Sequence, residues 1–110
     1  MNTKYYCRNC GTEIEVETLY NVEASETQPY FARFSVEDIN DYFTIEVNDF
    51  EASAVKAYYK DEGVMKEIAN FATTPTNTYG NPEDGYIYVV ITPNSTIDGS
   101  FTILKNPQQD

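Results

Sequence analysis

The chain has 110 residues and a formal net charge of −11, from 18 acidic and 7 basic residues. Its length suits a single domain with one core. Its 41% hydrophobic and 23% charged residues are typical of a globular protein rather than a disordered one. Because the negative field repels phosphate backbones and anionic lipid surfaces, we expect no nucleic-acid partner and no membrane partner.

In the first half of the chain, apolar and polar residues alternate with a period of two, which predicts strands. The predicted strands cover residues 13–23, 30–36 and 42–47. Their inward residues are, in chain order, Ile14, Val16, Thr18, Tyr20 and Val22, then Tyr30, Ala32, Phe34 and Val36, and then Phe43, Ile45 and Val47.

The second half continues the pattern. Residues 52–60 predict a strand with Val55, Ala57 and Tyr59 inward, and residues 60–63 predict a hairpin turn in which Gly63 takes a positive φ. A strand over residues 64–71 and a polar loop over residues 73–84 follow. Residues 86–92 form the clearest strand, and residues 100–104 close the domain after a turn over residues 93–99, in which Asp98 and Gly99 are a strong turn signal.

Short strands separated by turn residues at this spacing predict an all-β domain built as a two-sheet sandwich. We expect an N-terminal segment over residues 1–12, the sandwich over residues 13–105 and a tail over residues 106–110. The predicted core contains Phe34, Phe43, Ile45, Val47, Ile87, Val89, Ile91 and Phe101.

The order of these elements resembles a known family. Residues 30–36 (YFARFSV) look like the "YYRFTV" strand of bacterial pre-peptidase C-terminal domains, and residues 42–47 are similar to the strand that follows it. Residues 54–63 resemble their central hairpin. Residues 85–91 (GYIYVVI) and 99–103 (GSFTI) resemble their closing strand pair.

The resemblance covers about residues 13–105 and implies a jelly-roll-like two-sheet antiparallel β-sandwich. Such domains are usually attached to secreted enzymes and bind or solubilise without catalysing. The chain departs from the family pattern in the hairpin, which lacks the acidic residue before the first aliphatic one.

Cys7 and Cys10 form a CxxCG motif that looks like one half of a zinc ribbon. A complete tetrahedral zinc site needs four ligands, and the sequence has no second CxxC. Three interpretations remain open: one Zn²⁺ shared by Cys7 and Cys10 of two chains in a homodimer, a small disulfide, or two free thiols.

The sequence contains no histidine, which removes Ser–His and Cys–His nucleophile pairs. It also contains no glycine-rich phosphate-binding motif. We therefore expect no enzymatic activity. Asp38, Asn40, Asp41, Asn48 and Asp49 flank one predicted hairpin, and loop oxygens of this kind can hold Ca²⁺.

Tyr42, Tyr86 and Tyr88 fall on the outward side of their predicted strands. Tyrosine offers a rigid, amphipathic contact surface at low entropic cost. These three residues are the candidate ligand-binding site, and the alternative is that this face is covered by another strand, by the N-terminal segment or by a second copy of the chain.

The sequence therefore favours a non-catalytic binding or accessory module that contacts a protein or a polysaccharide through its outward tyrosines. One alternative is a small acidic intracellular regulatory or decoy protein, for instance one encoded by a phage, that blocks a basic site on its partner. Another is a zinc-linked homodimer with a structural role. The location follows from the start of the chain: secreted if an export signal was removed, cytoplasmic if Met1 is the native start.

Overall fold

The computed structural model describes residues 12–38, 40–69, 71–73 and 82–106, and the strands below belong to these residues. In chain order they are β1 (Thr12–Glu13), β2 (Leu19–Ala24), β3 (Tyr30–Ser35), β4 (Phe43–Asn48), β5 (Val55–Asp61), β6 (Val64–Glu67), β7 (Tyr86–Ile91) and β8 (Ile97–Lys105). A single 3₁₀ turn, Ala52–Ala54, precedes β5. Within the described ranges, no helix is long and apolar enough to cross a membrane.

The strands form two sheets. One has five strands in the order β1-β3-β7-β5-β6, and the other has three in the order β2-β8-β4. Every pairing is antiparallel except that of the two-residue β1 with β3. The chain passes back and forth between the sheets from β1 to β5, and again from β7 to β8, as in jelly-roll-like folds. The predicted two-sheet β-sandwich is confirmed.

The core lies between the sheets and is held by aromatic contacts across the gap. Phe34 of the five-stranded sheet packs on Phe43 of the other at 5.0 Å between ring centroids. Tyr30 meets Phe101 edge-on at 5.7 Å. Pairs of this kind each add about 0.5–1.5 kcal/mol beyond the burial of their area. Seven of the eight predicted core residues are buried, and the eighth, Val47, is half-buried and packs against them.

The prediction of one continuous strand over residues 13–23 is wrong. Ile14 and Val22 are buried as predicted, but Thr18, which the alternation predicts to face inward, is exposed, because the chain leaves one sheet after Glu13 and enters the other only at Leu19. Glu17 makes this crossing possible with a positive φ of 60°. Its N–H donates to Ile103 O at 2.7 Å, and its side chain accepts the Lys105 N–H at 2.8 Å.

The β5–β6 hairpin is confirmed, with Glu62 and Gly63 at φ of 54° and 80°. Two successive positive φ values are those of a type I′ turn, which matches the twist of the flanking strands. The strand predicted over residues 64–71 ends at Glu67. Beyond it, Phe71 is buried near Phe34, and its carbonyl accepts the Thr44 hydroxyl at 2.6 Å.

Gly99 does not lie in a turn, contrary to the prediction for Asp98 and Gly99. It is buried within β8 because the backbone of β4 passes very close to it. A Cβ at this position would overlap the Asn48 carbonyl oxygen and would lie 2.9 Å from the Phe50 ring. Glycine is therefore needed at this position because the backbones of β8 and β4 approach each other closely, and not because of a turn.

We expect Val89→Ala to lower the free energy of unfolding by about 1–3 kcal/mol, because Val89 is completely buried and the change removes two methyl groups and leaves a cavity. Urea denaturation measures this loss. The matched control is Val64→Ala on the exposed β6, where we expect a change within about 0.5 kcal/mol. Equal losses at the two positions would show that the assigned register of β7 is wrong.

The variant Gly99→Ala forces β8 away from β4, and we expect it to destabilise the fold by about 2 kcal/mol or more. Thr102→Ala, on the outward side of the same strand, should cost no more than about 1 kcal/mol. If Gly99→Ala unfolds at the same denaturant concentration as the wild type, β8 and β4 do not approach as closely as described.

Candidate functional site

One row of side chains crosses the outer face of the five-stranded sheet and takes one residue from each strand. The registers place Glu13 beside Arg33, Arg33 beside Tyr88, Tyr88 beside Tyr58 and Tyr58 beside Glu67. Residues opposite one another in neighbouring strands point to the same side of a sheet. The row therefore has two tyrosines at its centre, an arginine next to them and a carboxylate at each end.

Tyr86 lies on the same side of β7, two residues before Tyr88. The two rings are 6.4 Å apart between centroids, and both side chains are half-buried, as is Tyr58. We call the surface formed by Tyr58, Tyr86 and Tyr88 the tyrosine face. It lies over the middle of the sheet, since β7 has β3 on one side and β5 on the other.

Arg33 and Glu13 hold the Tyr86 side chain in place. The Arg33 guanidinium carbon lies over the Tyr86 ring at 5.0 Å from its centroid, a cation–π contact. Arg33 Nη2 is 3.6 Å from Glu13 Oε1, and the Tyr86 hydroxyl donates to Glu13 Oε2 at 3.1 Å. Each of the three side chains contacts the other two, and these contacts restrain the position of the Tyr86 ring.

Tyr88 is anchored by Asp84, in the turn before β7. The Tyr88 hydroxyl donates a short hydrogen bond to Asp84 Oδ2, and Asp84 Oδ1 accepts the Tyr86 N–H at 3.1 Å. Burial, and then the hydrogen bond and negative charge of Asp84, raise the pKa of Tyr88 to about 12. The hydroxyl therefore stays protonated and acts as a donor throughout the neutral range.

Lys56 and Lys60 complete the outer face on β5. Lys56 Nζ lies 3.7 Å from Glu67 Oε2 across the β5–β6 pair. Lys60 is outward by alternation, because its neighbour Tyr59 packs against the core. These cations, with Arg33, lie on both sides of the tyrosines.

Of the three predicted site residues, the structure brings Tyr86 and Tyr88 together and places Tyr42 apart from them, next to the other sheet. Tyr42 is 46% exposed and immediately precedes β4. Its backbone is tied to Asn106, whose N–H donates to Tyr42 O at 2.7 Å and whose Oδ1 accepts the Tyr42 N–H at 2.8 Å. Asn106, which the sequence assigns to the tail, thus fixes the start of β4.

Tyr58 of the tyrosine face, and the three side chains that hold its other rings, Glu13, Arg33 and Asp84, were not identified from the sequence. Two signals for them were available. Arg33 falls on the outward side of the predicted strand over residues 30–36, and Tyr58 falls between the inward Ala57 and Tyr59. Their position beside Tyr88, however, depends on which strands pair.

Cys7 and Cys10 lie outside the described residues, so the zinc, disulfide and free-thiol interpretations stay predictions. Among the described residues, no three metal-ligating side chains come together. The residues considered for Ca²⁺ are divided by β4: Asp38 and Asp41 precede it, while Asn48 and Asp49 are at its far end. The two groups are at opposite ends of this six-residue strand, about 20 Å apart, so they cannot share one ion.

A cleft of about 410 Å³ opens at the end of the sandwich where β3 ends and β4 begins. Its walls carry four carboxylates and one cation, and its floor is apolar. The charged residues are Glu13, Glu15, Glu37, Asp41 and Lys105. Glu13 thus lies at the boundary between this acidic cleft and the tyrosine face.

Comparison with known proteins finds no family model that matches the chain, and no curated protein or solved structure that is significantly similar to it. The resemblance to pre-peptidase C-terminal domains therefore stays a prediction.

The raised pKa of Tyr88 leads to a testable pH dependence. The pKa is about 12 in the folded protein against an ordinary value of 10.0. Its contribution to stability is therefore fully present below about pH 10 and is lost as the pH rises from about 10 to 12. We expect Tyr88→Phe to reduce the fall in unfolding free energy over this interval, measured by denaturation at stepped pH. Tyr42→Phe, at an exposed position, is the control, and equal slopes for Tyr88→Phe and the wild type would contradict the assignment.

Proposed function

We propose that the chain is a non-catalytic binding domain and that the tyrosine face is its contact surface. The observation that supports this best is the anchoring of the rings. Tyr86 is held by Arg33 and Glu13, and Tyr88 is held by Asp84. Both side chains remain partly open to solvent, at the middle of a sheet.

Anchored rings favour binding for an energetic reason. Ordering a flexible side chain at an interface costs about 0.5–1.5 kcal/mol. Contacts with Arg33, Glu13 and Asp84 already restrict Tyr86 and Tyr88 in the free protein. Contacts made to their rings therefore contribute more of their energy to affinity.

The chemistry of the face also suits binding better than catalysis. With a pKa of about 12, the Tyr88 hydroxyl stays protonated near neutral pH and therefore does not serve as a general base. The absence of histidine from the sequence removes the commonest general base. The sequence resemblance to pre-peptidase C-terminal domains is in keeping with a binding or accessory role.

The opposite side of the sandwich supports a second candidate, the regulatory or decoy protein. On the outer face of the three-stranded sheet, Glu23 lies directly opposite Asp98, and Glu46 is exposed two strands away. Like charges directly opposite in a sheet are destabilising. The outward strand positions of this sheet carry no lysine or arginine, so a basic partner would relieve that repulsion.

The test is an array that displays neutral glycans, acidic glycans, and peptides of basic, acidic and neutral composition. We expect the wild-type chain to bind at least one class. The double variant Tyr58→Thr/Tyr88→Thr should bind about tenfold more weakly, since two ring contacts at about 0.5–1.5 kcal/mol each are lost. Threonine keeps the strand propensity of these positions, and the unfolding midpoint checks that the variant is folded.

The matched control is Leu19→Thr, an exposed apolar residue on the other sheet, which should bind like the wild type. Binding that survives in the tyrosine variant, or no binding to any class, would refute the proposed contact surface. Binding to basic peptides that is lost in Glu23→Gln/Asp98→Asn but not in the tyrosine variant would establish the second candidate instead.

A further inference from the structure

We infer that the partner of the tyrosine face is a neutral polysaccharide; this deepens the proposed function and rests on it. Three features support the inference: the charge balance of the face, the absence of free backbone groups beneath it, and the kinds of side chain that surround the rings.

Counted over the outward strand positions and Asp84, whose carboxylate accepts the Tyr88 hydroxyl, the outer face of the five-stranded sheet carries no net charge on a strongly acidic protein. Three cations, Arg33, Lys56 and Lys60, balance three carboxylates. The carboxylates are Glu13, Glu67 and Asp84. The chain as a whole carries −11, so its negative charge lies elsewhere. Of the five lysines and arginines among the described residues, three lie on this face.

This balance of charges makes the tyrosine face an unfavourable site for a charged partner. A polyanion is repelled by the rest of the molecule and gains no net attraction at the face. A basic partner is attracted to the molecule, but towards its acidic surfaces, such as the one around Glu23 and Asp98, rather than to a neutral face. An uncharged ligand is therefore the class of partner that binds the tyrosine face in preference to the remaining surface.

The strand that carries Tyr86 and Tyr88 has no open edge to which an extended peptide could add. Peptides that bind sheets usually add a strand to an open edge, where main-chain hydrogen bonds supply the affinity. Tyr86 and Tyr88 lie on β7, which is paired with β3 on one side and with β5 on the other. Recognition at this face must therefore come from side chains alone.

The side chains present match a ligand with apolar ring faces and many hydroxyl groups. The tyrosine rings provide flat apolar surfaces. Around them, the carboxylates of Glu13, Glu67 and Asp84 each keep acceptor sites beyond the contacts they already make, because a carboxylate has about four. Arg33 and Lys56 supply donors. Sugar rings stack with their C–H faces on aromatic rings and direct their hydroxyls to the sides, where these charged groups lie.

The test is retention of the full chain on insoluble neutral polysaccharides, namely cellulose, xylan, a β-glucan and chitin, with alginate and polygalacturonate as acidic counterparts. We expect retention on at least one neutral polymer and on neither acidic one. Retention should change by less than about twofold between about 20 mM and 500 mM NaCl, since screening affects only charge-driven binding. The folded variant Tyr58→Thr/Tyr88→Thr should bind about tenfold more weakly, and Leu19→Thr should not.

Retention on no neutral polymer, or retention that the tyrosine variant keeps, overturns the inference. If peptides on the array are bound and the tyrosine variant loses them, the proposed contact surface stands and only its neutral-glycan partner is refuted. If nothing is bound in either experiment, both fail. Sedimentation of the unliganded chain adds one outcome: a dimer that the tyrosine variant abolishes would assign the face to a second copy of the chain and overturn the inference.

Discussion

Burial of one side of β7 fixes both the fold and the candidate site. Ile87, Val89 and Ile91 are 1%, 0% and 0% exposed, at the centre of the five-stranded sheet. Moving β7 by one residue would turn these three side chains to solvent and bring Tyr86 and Tyr88 into the core. The cost of exposing the aliphatic residues, about 1.5–3 kcal/mol each, therefore holds the tyrosines outward and keeps Tyr88 between Arg33 and Tyr58.

The sequence predicts those parts of the fold that depend on alternation alone. The core residues, the β5–β6 turn and the inward sides of β3, β4, β5 and β7 follow from local pattern and turn chemistry. The division of residues 13–23 between two sheets does not, since nothing in the alternation marks Glu17 as the crossing point. Gly99 is a similar case, because glycine is required there by the backbone at Asn48, which is 51 positions away in the sequence.

The candidate site is predicted only in part, for a related reason. Alternation identifies which residues face outward, and so it finds Tyr86 and Tyr88. It does not say which outward residues are neighbours, because that depends on strand order. Tyr42 faces outward as predicted, yet it precedes β4 in the other sheet, while Glu13, on the far side of β3 from β7, touches Tyr86. Which residues become neighbours over such sequence separations can be known only once the strand pairing and its register are known.

Folding does not determine which charged residues occupy the outer face of the five-stranded sheet. Lys56, Tyr58 and Lys60 occupy outward positions on β5 because Val55, Ala57 and Tyr59 must face the core. Any polar residue would satisfy an outward position, and in a chain with 18 acidic and 7 basic residues the expected choice is a carboxylate. Exposed ion pairs such as the one between Lys56 and Glu67 contribute little stability. Stability therefore does not explain why cations balance carboxylates around the tyrosines, whereas the proposed binding of an uncharged partner would explain it.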